Sequence, residues 1–125
     1  MNTHNATVIC VRVNADGSAG KPDLFVGPNC GDLDGADGLA VDAQGNLYVV
    51  SFLRHKLVKV DMNKKVTLVE AGGLLDSPAS VAFGVGKYET TLFISNFAFV
   101  SASTGGTPKP GILKKEMGVK GLPPP

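Results

Sequence analysis

Tryptophan is absent from these 125 residues, and cysteine and histidine occur only twice each. Two cysteines cannot make a disulfide framework, and the spacing of Cys10 and Cys30 fits no zinc pattern. Cys10 lies in a strand-like run and Cys30 in a loop segment, and both are expected as free thiols. His4 and His55 stand isolated in sequence and are expected as solvated side chains. Charge of one sign is also lacking: 12 basic residues balance 11 acidic ones, for a net charge of +1. That balance excludes an electrostatic pull toward nucleic acid or an anionic membrane. No apolar run approaches the ~20 residues of a spanning helix. The opening, "MNTHNATVICVRV", has no basic region ahead of a long apolar stretch and does not read as a secretory signal. A soluble chain is expected, with the compartment left open. Without an export signal, the acceptor pattern at Asn5-Ala6-Thr7 is a chance match. No serine sits in a nucleophile elbow. The "GVGKY" segment from Gly84 to Tyr88 lacks the glycine spacing and the Ser or Thr of a phosphate loop.

What the sequence does have is punctuation. Sixteen glycines and eight prolines break it every few residues. Between them lie short runs rich in Val, Leu, Ile and Phe, such as Thr7 to Val13, Leu47 to Val50, Leu57 to Val60 and Leu92 to Phe97. None has the length or the spacing of an amphipathic helix. The separators are turn chemistry: Asp16-Gly17, Gln44-Gly45-Asn46, and Asn63 with its lysines. Many short strands at regular spacing predict an all-β protein. In the Leu47 to Val50 run both alternating faces are apolar, which predicts a sheet covered on both sides.

The runs repeat. "LDGADGLAV" from Leu33 aligns with "LDSPASVAF" from Leu75, an offset of 42, and "LYVVSF" from Leu47 with "LFISNF" from Leu92, an offset of 45. The extra residues fall in the turn "GVGKYETT". A period of this size with about four strands per unit predicts propeller blades, each a small twisted sheet that only its neighbours can cover. The expected fold is an incomplete β-propeller of about two and a half four-stranded antiparallel blades. Residues 7–26 give the outer strands of one blade, 33–70 a complete blade and 75–117 a further one. The basic, proline-ended stretch "ILKKEMGVKGLPPP" is expected as a solvated strand followed by an extended tail, residues 118–125.

Two acids precede the apolar run at Leu39. Asp34 has a counterpart in Asp76, which points to a turn residue whose side chain caps backbone N–H groups. Asp37 has none, because Ala79 occupies the matching place, so the fold does not require an acid there. If Leu39 to Val41 belong to the innermost strand, Asp37 stands at its start and faces the channel mouth. A carboxylate there suits a hard divalent cation. On the repeat alone, a ligand and one more loop acid before a glycine are equally open readings.

At these residues the chain resembles the gluconolactonase / senescence-marker-protein (regucalcin) family. The resemblance spans roughly Val8 to Gly121 and is strongest from Leu33 to Phe97. It is carried by "DGLAVDAQGNLYVVSFLRHKLVKVD" and by "SPASVAFGVGKYETTLFISNF", in that order. It implies the C-terminal part of a six-bladed propeller that binds one divalent metal in its channel. Ca²⁺ is the first choice, with Zn²⁺ and Mg²⁺ as alternatives. It implies hydrolysis of a small-molecule lactone, typically a sugar lactone, in which the metal polarises the ring carbonyl and activates a water. By position it implies Asp37 as metal ligand and as catalytic base.

Three departures limit the carry-over. Ala36 stands where the family has proline, the glutamate of the first blade has no match, and the channel asparagine of the preceding inner strand is missing. The chain is therefore expected to be a fragment or truncated member, inactive as a lone monomer. It would act by pairing with a missing propeller half or as a homo-oligomer. The alternative is a non-catalytic propeller segment serving as a binding module.

Overall fold

The computed structural model describes residues 3–123. Nine strands form three antiparallel sheets. The first holds β1 (Val8–Val13) and β2 (Ala19–Val26). The second is ordered β3 (Ala36–Val41), β4 (Leu47–Ser51), β5 (Lys56–Val60) and β6 (Val66–Ala71). The third is ordered β7 (Pro78–Phe83), β8 (Thr91–Asn96) and β9 (Gly111–Glu116). Among the described residues, helix is confined to a single turn at Gly86–Tyr88 and to α1 (Phe99–Ser103). Among the described residues, no helix is long and apolar enough to cross a membrane. Cys10 and Cys30 are free and exposed.

The two apolar faces of β4 explain the stacking of the sheets. Val49 points to one side, where it joins Val58 and Val60 of β5 and Ala6, Val8, Leu33 and Ala36 in a core shared with the first sheet. Tyr48 and Val50 point to the other side and meet Leu57, Leu75, Val81, Leu92 and Ile94 in a core shared with the third. Side chains alternate along a strand, so a sheet apolar on both faces needs a neighbour on each. Here both are present.

Each of the hairpins β1–β2, β3–β4 and β5–β6 turns around an aspartate. Asp42 is fully buried, and its carboxylate accepts the N–H groups of Gln44 and Asn46 at 2.9 Å each. It also accepts the Asn46 amide at 2.8 Å and the Tyr48 hydroxyl at 3.2 Å. Asp61 repeats the device with the N–H groups of Asn63 and Lys65, and Asp16 with that of Ser18. Burial opposes the charge of Asp42, but the hydrogen bonds outweigh it and hold its carboxyl below the usual aspartate range. Burial first, and the Asp42 charge second, push the Tyr48 phenol up to about 12.

The tail alternates between exposed and part-buried residues instead of lying free in water. Met117 and Val119 pack against the second core. Beyond them the chain runs back along the end of β3: Ala43 N–H donates to Lys120 O, Leu122 N–H to Val41 O, and Gly121 bridges to Asp42. A side chain at Gly121 would overlap that of Phe83, so only glycine lets the strap lie flat. This apolar contact is what the basic, proline-ended composition of the tail concealed.

Strands β3 and β7 are the free inner edges of their sheets, and they approach each other closely. A Cβ on Gly38 would stand 2.6 Å from Ser80 Cα and 2.9 Å from Ala79 O. Gly38→Ala should therefore prise the two inner strands apart, at roughly 1–3 kcal/mol. Urea unfolding checks this, and an unchanged midpoint would contradict the packing.

The buried aspartate sets the response to acid and alkali. A depressed carboxyl adds stability above its unfolded value of about 4, and that stability is lost as pH falls through the folded value. A raised phenol adds stability in full below its unfolded value of about 10, and this is lost as pH rises toward the folded value. Asp42→Ala should cost roughly 2–4 kcal/mol at neutral pH by orphaning buried donors. Tyr48→Phe should flatten the fall in melting temperature above about pH 10. Parallel alkaline slopes in wild type and Tyr48→Phe would refute that assignment.

Candidate functional site

Both inner strands begin with the same irregularity. Ala36 pairs with Ser51, and the ladder then skips to Leu39–Val49. Pro78 pairs with Asn96, and the ladder then skips to Ser80–Ser95. In each blade the residue after the first pair is thus released from the sheet, and it is Asp37 in one and Ala79 in the other. Asp37 is exposed, and among the described residues its carboxylate has no hydrogen-bond or ion-pair partner. Asp23 on β2 shares that condition. Every other Asp and Glu carboxylate among the described residues is engaged.

The acids around the mouth behave differently from the sequence expectation. Asp34 does not cap backbone N–H groups; its carboxylate pairs with Arg54 at 2.9 Å, while its backbone carbonyl accepts the Ser51 hydroxyl. The turn-capping role belongs to Asp42, Asp61 and Asp16. The signal for it was an aspartate whose following N–H groups at positions +2 and +4 fold back in a tight hairpin. Asp76, the counterpart of Asp34, is buried, accepting the Ser101 hydroxyl at 2.6 Å and the Lys109 N–H at 2.9 Å. The Ser101 hydrogen bond, against burial and with help from Lys109 N–H, holds this carboxyl below the usual range. His55 is not solvated either. Its Nδ1 accepts the Ser77 N–H at 2.9 Å and lies 3.7 Å from Asp76. This contact ties the two blades together. His4 is exposed.

Further along β3, Leu39, Ala40 and Val41 face Val81, Ala82 and Phe83 of β7 across an open cleft of about 320 Å³ closed by Leu122 and Pro123. None of these side chains can ligate a cation or move a proton. Among the described residues, no three His, Cys, Asp or Glu side chains stand close enough to hold a metal ion. A cation held by Asp37 alone would keep most of its hydration shell. The described residues on their own thus do not accommodate the divalent metal implied by the resemblance.

No curated protein sequence matches the chain significantly. Among solved structures it is similar to a luciferin-regenerating enzyme, with a TM-score of 0.73 and 20% identity over 98% of this chain and 42% of that one. It is also similar to regucalcin, a calcium-binding protein of Agrobacterium tumefaciens str. C58, with a TM-score of 0.69 and 20% identity over 97% of this chain and 41% of that one. These likenesses show the fold, a part of a β-propeller, and the chain spans about two fifths of each relative's length. The family model described as the SMP-30/Gluconolactonase/LRE-like region matches residues 1–98, which include all of β3 to β8. The chain belongs to the SMP-30/gluconolactonase/LRE-like family.

Proposed function

We propose that this chain is the part of a divalent-metal-dependent lactone hydrolase, of the family's sugar-lactone type, that supplies Asp37 to the channel. The observation that carries the reading is the open carboxylate of Asp37 at the entry of an inner strand, where the equivalent blade has alanine. Structural acids in this fold are engaged, as Asp34, Asp42 and Asp76 are. An acid released from the ladder and left unpaired is available to a ligand. Its roles would be cation ligand and proton acceptor, with Ca²⁺ the first candidate and Zn²⁺ or Mg²⁺ as alternatives. The remaining ligands must come from another polypeptide or from further chain, because the described residues hold no cluster of three potential His, Cys, Asp or Glu ligands.

The open ends of the three sheets favour such pairing. The first sheet has two strands, and its exposed residues include Ile9, Val11, Val13 and Leu24. The inner edge of β1 presents unpaired backbone groups to any strand that can add to it. A missing propeller half would fill this place, as would further copies of the chain. If copies close a ring, their Asp37 carboxylates converge and repel one another until a cation joins them. The second reading, a non-catalytic binding module, rests on the same open edges and needs no cation.

The two readings separate in a thermal melt with and without Ca²⁺, run beside a mass measurement in solution. Assembly and melting temperature should both rise with Ca²⁺ by mass action. Asp37→Ala should abolish the rise and leave the metal-free fold unchanged, since Ala79 occupies the same place. Asp34→Ala should keep the rise and cost less than about 1 kcal/mol, the worth of an exposed ion pair. A monomer indifferent to Ca²⁺ would remove the cation site. Cation-independent assembly would leave the binding module standing.

A further inference from the structure

The three sheets are unequal, with two, four and three strands. The second shows what a finished blade holds. There β6 lies outside β5, and its Val69 and Val66 pack against the cores on either side. The third sheet stops at β9, which pairs with β8 and with no other strand among the described residues. Its fourth place is open. Beside that place lies a trough of about 410 Å³ lined by Glu70, Leu74, Leu75, Leu113, Lys114 and Lys115.

The described chain does not fill the place itself. The residues after β9 are the nearest candidates, as β6 follows β5 across a short turn. They run the other way: Met117 N–H donates to Thr90 O, Gly121 N–H to Glu89 O and Leu122 N–H to Val41 O, which carries the strap to the inner strands. A second copy fits poorly. Its first sheet would add two strands to these three and give five where the second sheet holds four. Its β9 would bring Lys114 and Lys115 of one copy close to those of the other, and like charges facing each other across a ladder are destabilising.

We infer that the outer edge of β9 is a docking site for an extended acidic segment of a second, different polypeptide, added as the fourth strand of this sheet. Lys115 is already taken up by Glu70 of β6, at 2.8 Å. Lys114 is exposed and has no ion-pair partner among the described residues. In strand addition the backbone hydrogen bonds give affinity and the alternate side chains give specificity. A guest with a carboxylate beside Lys114 gains a charge pair. Its apolar residues, at alternate positions, reach Leu75 and the 64% exposed Leu74 in the trough. The same lysine repels a basic strand, so the edge selects by charge as well as by shape. This rests on the reading that the chain pairs with a missing propeller half, and it names the strand at which one seam with that half closes.

The test uses the full chain and two blocked synthetic peptides that differ in one residue, Thr-Val-Glu-Val-Thr-Val and Thr-Val-Lys-Val-Thr-Val. Amide hydrogen exchange is read residue by residue by NMR, and affinity by titration of the same spectra. The glutamate peptide should slow exchange along β9 and bind at least about threefold tighter than the lysine peptide. Lys114→Glu should reverse the preference, with circular dichroism reporting the fold. If that variant does not fold, Lys114→Gln decides, and it should make the two peptides equal. Leu74→Ser should weaken both peptides alike. Slowed exchange on β1 alone, equal binding of the two peptides to wild type, or a preference that survives the Lys114 substitutions overturns the docking site. So does a wild-type dimer whose β9 amides are protected without any peptide, since a second copy then holds the edge. Ca²⁺-driven assembly with β9 left open sinks this site and spares the hydrolase reading. Peptide docking without any Ca²⁺ response does the reverse.

Discussion

The structure depends on a strand that is apolar on both sides. Tyr48 and Val50 face one way along β4 and Val49 the other, and each side needs its own cover. A single-sheet domain would leave one of these faces in water. The cost, at about 25 cal/mol per Å² of apolar surface, would be several kcal/mol for the side chains concerned. Stacking sheets on both sides removes it. That stacking brings the free inner edges β3 and β7 together, and the absence of a side chain at Gly38 sets how near they come. The position of Asp37 follows from this packing, since it is the residue beside that contact.

Electrostatics divides the carboxylates into two groups. Asp16, Asp42 and Asp61 close hairpins, Asp32 and Asp34 pair with Lys56 and Arg54, and Asp76 anchors the loop before β9. These charges are satisfied within the chain, and removing any of them disturbs its own surroundings. Asp37 has no such obligation. The same irregularity that frees it also frees Ala79 in the next blade, so the backbone device is generic and the acid is an addition to it.

Much of this was legible in the sequence, and the parts that were not have physical reasons. The double-faced run at Leu47 to Val50 and the repeat at Leu33 and Leu75 pointed to stacked antiparallel blades, and the all-β partial propeller is what the chain forms. The same alignment misjudged Asp34. Matching it to Asp76 implied one shared role, yet Arg54 beside Asp34 and Ser101 beside Asp76 give the two acids different partners. Partners far apart in sequence leave no local trace. His55 was misread for the same reason, because Ser77 lies twenty-two positions away from it. Asp42 closes its hairpin through neighbours at +2 and +4, so its role is written locally, in an aspartate two residues ahead of a glycine-containing turn. The contact of Phe52 with Phe97, at 6.1 Å between ring centroids, was hidden because only the stacking of two blades brings them together.

The strap from Met117 to Leu122 gives the molecule a mechanical property. It is joined to the end of β3 through Ala43, Val41 and Asp42, and Gly121 lies against Phe83 of β7. Force applied to the tail therefore enters both inner strands at once, at the end opposite Asp37. The hydrogen bonds along the strap would carry that load in shear before the blades separate, which makes the tail a handle on the channel wall.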